Sequence, residues 1–533
     1  MTALVVAPML VALVTAILTL GVRFAPRLQR ALSVAGVLTY VGVVALLLSR
    51  VLGGNVLVYQ VSGWPAPYGI TLVADALSGF MLGLTALVAL AAVVFSVGYV
   101  DVLGQRVSYH PLFHFMLTGA TGAFLTGDVF NLFVWFEVML MPSYVMVVFY
   151  SGREHTSAAL KYTVLNLLGG AVMLLAIGGL YATTGTLNMA DMAQRLGNAG
   201  GPGAAIADPA PVLGLAALLL AVFALKAGLA PFQFWVPAAY RAAPAPATAM
   251  LAGVTKKVGI YAIIRLYFSV FGAATLPKAL ALPGLWGRSF LAFFGPVLFV
   301  MATASILLGG IGAVSRDRLE DVLSYSSIGQ VGFIVLPLAV VATLPPDAAG
   351  LRRLGIVAAL VYALNHALAK SLLFMVSGTV RESIGSTGFE DLGGLVRAQP
   401  LLAAPFFVGS LALVGIPPLT GFFGKFFVFD AAGSAMAAGA SGATLALAVA
   451  LAGAILTIAY LTRAWNRGFW GPASDLVANA RPRPLLLAVL AGLALSLIVL
   501  GVGFDPVLHA ARAGADAALD RSGYVRAVLG VTP

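Results

Sequence analysis

Runs of about 20 apolar residues, the length that crosses a bilayer, alternate with short polar stretches along almost the whole chain. The pattern predicts about fourteen spans, at 3–22, 31–50, 72–98, 110–127, 128–150, 157–182, 211–235, 247–271, 289–313, 320–341, 355–379, 400–429, 443–464 and 484–503. The first run lacks a basic leader and reads as the first helix, not a cleaved signal. The fold class is therefore an all-α polytopic membrane protein. From residue 504 onward the pattern changes to a short amphipathic stretch that reads as a docking element for a neighbouring subunit.

Two spans break the helical rule. In the seventh, residues 226–237 (KAGLAPFQFWVP) place a glycine and two prolines inside apolar sequence, and in the twelfth, residues 415–425 (GIPPLTGFFGK) do the same. Interior prolines free backbone carbonyls, which in hydrocarbon must find protein or water. Interrupted helices in corresponding positions point to a transport site built from repeats. The breaks lie five spans apart, and an odd number of helices per repeat inverts its topology. The expected organisation is residues 1–109 as helices 1–3, 110–271 and 289–470 as inverted five-helix repeats, and 471–533 as helix 14 plus tail.

Composition sharpens the class: 61% of 533 residues are apolar and only 9% are charged, which no soluble globular chain combines. The formal charge of +11 would suggest nucleic acid in a soluble protein, but here the basic residues are spread over loops. Arg23, Arg27, Arg30, Arg106, Arg153, Arg241, Arg316, Arg318, Arg381, Arg397, Arg463, Arg467, Arg481 and Arg483 fall on one side. Arg50, Arg195, Arg265, Lys278, Arg288, Arg352 and Arg353 fall in or beside the loops of the other. The bias places both termini outside. The chain has no cysteine, which excludes disulfides, thiolate metal sites and cysteine-held iron–sulfur clusters. Its five histidines, His110, His114, His155, His366 and His509, show no metal-ligand spacing.

Against this background a few charges stand out. Glu137 sits in the middle of a span, where a carboxylate costs about 2.5–3.5 kcal/mol on insertion scales. Lys226 precedes the first break, Lys257 lies in the eighth span with Lys256 beside it, Lys370 is deep in the eleventh, and Lys425 follows the second break. Each would be unfavourable facing lipid, so each is expected to face the interior or a wet cavity. Lys256, nearer a span end, also admits a snorkelling reading. His366 and Lys370 are four apart on one helical face. Burial disfavours the charged form of a lysine, a nearby carboxylate favours it, and histidine exchanges protons near neutrality. Glu137, Lys226, Lys257, His366, Lys370 and Lys425 are the expected proton-translocating residues, with Lys256 and Asp75 as accessories. No cluster of carboxylates suited to sodium appears: Asp75, Asp128 and Asp430 lie near span ends and read as interfacial.

At these residues the chain resembles a known group. The stretch 126–140 (TGDVFNLFVWFEVML) looks like the fifth-helix signature of antiporter-like proton channels. That group comprises the D subunits of Mrp-type multisubunit Na+/H+ antiporters and related subunits of respiratory complex I. Residues 230–237 (APFQFWVP), 242–246 (AAPAP), 257–265 (KVGIYAIIR), 324–332 (SYSSIGQVG), 365–374 (NHALAKSLLF) and 415–425 (GIPPLTGFFGK) carry further similarity. The wording around Glu137 and the lysine at 425 favour the Mrp branch. The resemblance implies fourteen helices, two inverted repeats, and a central row of the six residues named above. Gln233, Ala238 and Gln330 depart from the pattern of many relatives, and Lys256 adds a charge beside Lys257.

Three functions compete. The resemblance favours a proton-translocating subunit of a Na+/H+ antiporter in a bacterial plasma membrane. It implies a secondary transporter rather than an enzyme, working with other membrane subunits, with protons and Na+ as cargo and no cofactor, metal or nucleic acid. The second reading is the proton-pumping membrane subunit of an NADH-quinone oxidoreductase, which would need electron-carrying partners. The third is a structural subunit with an inert polar core.

Overall fold

In the computed structural model, residues 3–200, 204–276, 288–345 and 347–530 are described, and Lys278 lies outside them. The order begins α1 (Ala3–Gly21), α2 (Pro26–Val51), a two-stranded antiparallel hairpin of β1 (Leu57–Gln60) and β2 (Thr71–Ala74), and α3 (Ala76–Tyr99). Then come α4 (Tyr109–Leu125), α5 (Val129–Val147), α6 (Arg153–Thr184), α7 (Ala210–Ala227), α8 (Trp235–Ala242) and α9 (Ala245–Ala273). The second half holds α10 (Leu291–Val314), α11 (Leu319–Ala342), α12 (Ala349–Ile384), α13 (Pro400–Val414), α14 (Thr420–Ala437) and α15 (Ala443–Phe469). The chain closes with α16 (Pro484–Val502), α17 (Asp505–Leu519) and α18 (Arg521–Leu529).

Among the described residues, twelve helices are long and apolar enough to cross a membrane. The other two expected spans differ in construction: α4 has 17 residues, and 400–429 is divided between α13 and α14. The chain is a multi-pass membrane protein. Helices α9 and α12 are buried along the whole of their apolar windows, whereas α1, α2 and α16 bury less than half of theirs. Large apolar side chains on the outer helices, such as Ile17, Leu38, Leu175 and Leu495, face outward, as lipid contact requires. The two inner helices carry the buried Lys256, Lys257 and Lys370.

Both breaks are built alike. Helix α7 ends at Gly228 (φ +67°) and α13 at Gly415 (φ +92°), left-handed conformations that glycine adopts without strain. The carbonyls freed at the first break are taken up locally: Leu229 N donates to Ala224 O at 2.9 Å and Trp235 Nε1 to Leu225 O at 3.0 Å. At the second, Gly415 N and Ile416 N share Leu411 O, and Asn365 Nδ2 donates to Ala412 O at 3.3 Å. A further parallel links the halves. An isolated antiparallel bridge joins Asp128 at the start of α5 to Asn188 after α6, and the same bridge joins Arg318 at the start of α11 to Gly388 after α12.

These bridges lie at opposite faces. Helix α12, 36 residues and about 54 Å long, carries Arg353 near one end and Arg381 near the other. Arg353 pairs with Asp516 of the tail at 2.6 Å, while Arg381 pairs with Glu320 at the start of α11. On the Arg381 face, Arg241 meets Asp321, and Arg463 and Arg467 both reach Asp317. These arginines belong to the set expected on a single side.

Two expectations are corrected. Arg265 is not a loop charge: it is buried in a π-helical turn of α9 and pairs with Asp75 at 2.5 Å, both side chains 2% exposed. Asp75, at the N-terminal end of α3, is therefore buried and paired; it also caps α3 by accepting from Ser78 N at 3.0 Å. Asp128, capping α5 through Asn131 N at 2.7 Å, is buried as well. The amphipathic tail docks on its own chain, because α17 buries Val507, Ala511 and Ala515 against α3 and α12. Ser269 Oγ of α9 donates to Ala518 O at 2.8 Å, and the Arg265 guanidinium lies 5.0 Å from the Tyr524 ring centroid of α18.

Arg265 joins α3, α9 and the tail, so removing its partner strands a buried charge. Asp75→Ala is expected to destabilise the protein by about 3–5 kcal/mol. The measurement is a lowered melting temperature in detergent together with faster proteolysis within α17 and α18.

Candidate functional site

The site begins at α5, where Asp128 caps the helix and nine residues later Glu137 faces α6 and α7. Its Oε1 lies 3.9 Å from Lys226 Nζ, and a Cβ placed on Gly170 of α6 would approach that oxygen to 3.0 Å. Glycine on α6 is what gives the carboxylate room. Lys226 is buried; it donates to Asn166 O at 3.2 Å and lies 5.8 Å from the Phe136 ring centroid. Glu137 keeps 17% of its side chain exposed, so this end of the site reaches the rim of the subunit.

The break after Lys226 leads to the next cations. Ala230 N, freed by the break, donates to Ser305 Oγ of α10 at 2.8 Å, tying the first half to the second. Lys256 packs against Gly228, where an added Cβ would meet its Cε at 3.0 Å. It donates to Ser327 Oγ of α11 at 3.3 Å and lies 5.2 Å from the Tyr240 ring centroid. It is fully buried, so the snorkelling reading of Lys256 fails. Lys257 donates to Ala252 O at 2.5 Å, and its Nζ lies 2.5 Å from His366 Nδ1. Both lysines stand between two π-helical turns, Leu251–Thr255 and Ile264–Val270, a distortion of a kind that recurs at functional sites.

Helix α12 carries the row onward. Lys370 donates to Leu323 O at 3.0 Å and to Ser326 Oγ at 2.7 Å, both on α11. Asn365, next to His366, accepts from Thr420 Oγ1 at 2.9 Å and so staples α12 to the second break. Lys425 lies beyond that break, buried, 5.5 Å from the Phe333 ring centroid. Among the described residues, Lys425 Nζ, His366 Nε2 and Glu137 Oε1 have no hydrogen-bond partner. Leaving such a group unpaired costs about 1–3 kcal/mol, and water is small enough to serve as the partner.

The structure therefore brings Glu137 to Lys226, Lys257 to His366, and Lys370 to α11, with Lys256 between the first break and α11. Lys425 stands apart from the other cations, and Asp75 belongs to the Arg265 pair. Sequence reasoning missed Ser326, Ser327, Tyr362 and Tyr460. Ser326 and Gln330 sit four apart in an apolar helix, a polar stripe visible in the sequence, but Tyr460 is more than a hundred residues away and only folding brings it to them. His110 and His114 both hydrogen-bond Ser33, at 3.0 and 2.8 Å, joining α4 to α2.

Comparison with known proteins places this geometry. Residues 126–452, which hold every residue of the row, match the NADH:quinone oxidoreductase/Mrp antiporter transmembrane family. A relative from Alkalihalophilus pseudofirmus, named as the D subunit of a Na(+)/H(+) antiporter, is 33% identical, covering 94% of this chain and 94% of its own. A protein of the same name from Bacillus subtilis is 31% identical over 98% of this chain and 99% of its own. A chain in the structure of the Mrp complex from Dietzia sp. DQ12-45-1b superposes with a TM-score of 0.86 at 27% identity, covering 99% of this chain and 100% of that one. From its matched motifs, its full-length similarity and its shared architecture, the chain belongs to the NADH:quinone oxidoreductase/Mrp antiporter family of transmembrane subunits.

Proposed function

We propose that the chain is the proton-translocating subunit of a multisubunit Na+/H+ antiporter. The single observation that carries this reading is the buried row from Glu137 to Lys425, which runs across both helix breaks. A transporter needs groups that can hold and release a proton where the bilayer offers none, and a row of lysines with one histidine and one carboxylate supplies them. Glu137 and Lys226 form an adjustable pair: at 3.9 Å they attract strongly in low dielectric, yet they share no hydrogen bond that would lock them. Lys257, His366 and Lys370 form the middle of the path and Lys425 its far end, with Lys256 as an accessory beside the first break.

The repeated breaks, and the repeated bridges at opposite faces, support fourteen spans, with inverted repeats over 110–271 and 289–470, between helices 1–3 in 1–109 and helix 14 plus tail in 471–533. The arginine-rich face, set by Arg241, Arg381, Arg463 and Arg467, faces the cytoplasm by the positive-inside rule, which puts both termini outside a bacterial plasma membrane. The exposed edge of Glu137 supports contact with another membrane subunit. On this reading the protein is a secondary-transporter subunit and not an enzyme, and sodium crosses with the help of its partners. The family's description also covers NADH:quinone oxidoreductases, which keeps a proton-pumping role in a redox complex as the second reading.

In everted vesicles holding the assembled complex, Glu137→Gln and Lys226→Ala are each expected to abolish sodium-dependent proton movement in a dye-quenching assay while leaving the complex intact on native gels. Full antiport by assembled Glu137→Gln would overturn the role given to the carboxylate. Sodium-independent proton pumping driven by a quinone reaction would favour the second reading.

The purified subunit alone in liposomes is expected to give no Na+/H+ exchange. Robust exchange there would remove the requirement for partner subunits.

A further inference from the structure

On the arginine-rich face, outside the residues of the row, the starts of α6 and α11 and the ends of α8 and α12 enclose an open cavity of about 530 Å³. That volume falls within the range of about 300–1,000 Å³ found for ligand sites. Five cations line it: Arg153 and Lys161 of α6, Arg241 of α8, Arg318 before α11 and Arg381 of α12. Arg241 pairs with Asp321, while Arg318 and Arg381 share Glu320. Among the described residues lining the cavity, Glu154 is the one acid, and Arg153 and Lys161 have no ion-pair partner. Setting Glu154, Asp321 and Glu320 against the five cations leaves two positive charges uncompensated. The cavity also takes in the first turn of α6, whose N-terminal Gly152 (φ +96°) supplies no side-chain cap. The first backbone N–H groups there are open to an outside acceptor, and the helix dipole favours an anion. His155 fixes that turn: its Nδ1 lies 3.0 Å from Ala242 O, and a carbonyl only accepts, so this nitrogen carries the hydrogen. Arg381 Nη1 donates to Arg241 O at 3.2 Å, so both halves of the bundle hold the shape of the cavity.

The kind of anion follows from the rest of α6. Arg153, Leu160, Val164, Leu168 and Leu175 recur at spacings of seven, four, four and seven, which puts them on one helical face. The four apolar members are all exposed, and Leu160 to Leu175 cover about 22 Å along the helix. Lys161 stands beside Leu160 at the head of this stripe. The cavity thus opens where the charged surface meets the lipid-facing side of α6. We propose that it holds the phosphate of an anionic phospholipid, whose acyl chains lie along the apolar stripe of α6. Basic pockets between helices at the cytoplasmic side suit such headgroups. Arg153 offers a phosphate two parallel N–H bonds and Lys161 a point charge, while Arg241, Arg318 and Arg381, each already held by an acid, form the wall. A soluble phosphate would meet the same cations but leave the stripe unused. Because α6 and α8 belong to the first half of the bundle and α11 and α12 to the second, a lipid seated here joins the two. The choice of leaflet rests on that face being cytoplasmic; the site itself does not rest on the proton row.

The full chain, purified in neutral detergent and stripped of lipid, is titrated with dioleoyl phosphatidylglycerol, and binding is read by native mass spectrometry and by the rise in melting temperature. The double variant Arg153→Ala with Lys161→Ala is expected to bind this lipid about thirtyfold more weakly, the loss of two surface cations. Arg27→Ala with Arg106→Ala removes the same charge from the same face outside the cavity, and is expected to bind as the unmodified protein does. Inorganic phosphate at the concentration of the lipid is expected not to displace it, because it gains nothing from the stripe. Equal binding by the two double variants would overturn the site. Displacement by inorganic phosphate would overturn the lipid in favour of a soluble anion. Unweakened lipid binding by Arg153→Ala with Lys161→Ala, joined to loss of a subunit from its assembled complex on native gels, would overturn the lipid in favour of an acidic segment of a partner. Binding is read without transport, so each of these outcomes leaves the proton row standing.

Discussion

Charge held out of water governs this structure. Lys226, Lys256, Lys257, Lys370 and Lys425 are all buried, and among the described residues Glu137 is the acid paired with any of them. Ammonium groups gathered this closely in a low-dielectric interior repel one another, so the proton held on each depends on the protons held by its neighbours. The protein gives four of the five neutral acceptors, Asn166 O for Lys226, Ser327 for Lys256, Ala252 O for Lys257, and Leu323 O and Ser326 for Lys370, while Lys425 lies near the aromatic face of Phe333. Neutral acceptors tolerate either form of a lysine better than fixed carboxylates would. A buried salt bridge at every lysine would stabilise one charge state and stop exchange.

The Asp75–Arg265 pair shows the alternative. There the same helix, α9, carries a cation that is matched at 2.5 Å by a carboxylate itself fixed as a helix cap. That pair binds α3, α9 and the tail into one body. Within ten residues, α9 therefore presents Lys256 and Lys257 to neutral partners and Arg265 to an acid. An arginine stays charged and accepts planar, two-pronged bonding, which suits a joint, while a lysine can give up its proton, which suits a path. The π-helical turns on either side of the lysines rotate these groups relative to each other, as an unbroken helix would not.

Much of this was legible in the chain. Apolar periodicity gave most of the spans, and proline with glycine inside apolar runs marked both breaks, because each feature acts locally on the backbone. The row was legible for another reason: a charge in the middle of a span has few structural explanations. What escaped was relational. Nothing in the residues around Arg265 says that it meets an aspartate 190 positions earlier, and counting it as a loop charge weakened the side-to-side bias. Lys256 looked able to snorkel because its distance from a span end was known and its neighbours were not. The tail's amphipathic pattern showed a face needing cover, but the partner proved to be α3 and α12 of the same chain.

The two breaks also differ in how the glycine meets a lysine. At the first, Lys226 lies just before the glycine, and Lys256 leans on the glycine itself; at the second, Gly415 packs against Lys425, ten residues farther on, where an added Cβ would meet its Cδ at 3.0 Å. A bulkier residue at either glycine would push directly on a buried lysine. Each break thus sets its glycine against a buried cation, and the missing side chain is what leaves that lysine room. Ser305 of α10 ties the first break to the opposite half of the bundle, and Asn365 ties the second to α12, next to His366. Glycine is required at these two places for conformation and for space at once, and that double requirement is what fits the unwound helices to the lysines beside them.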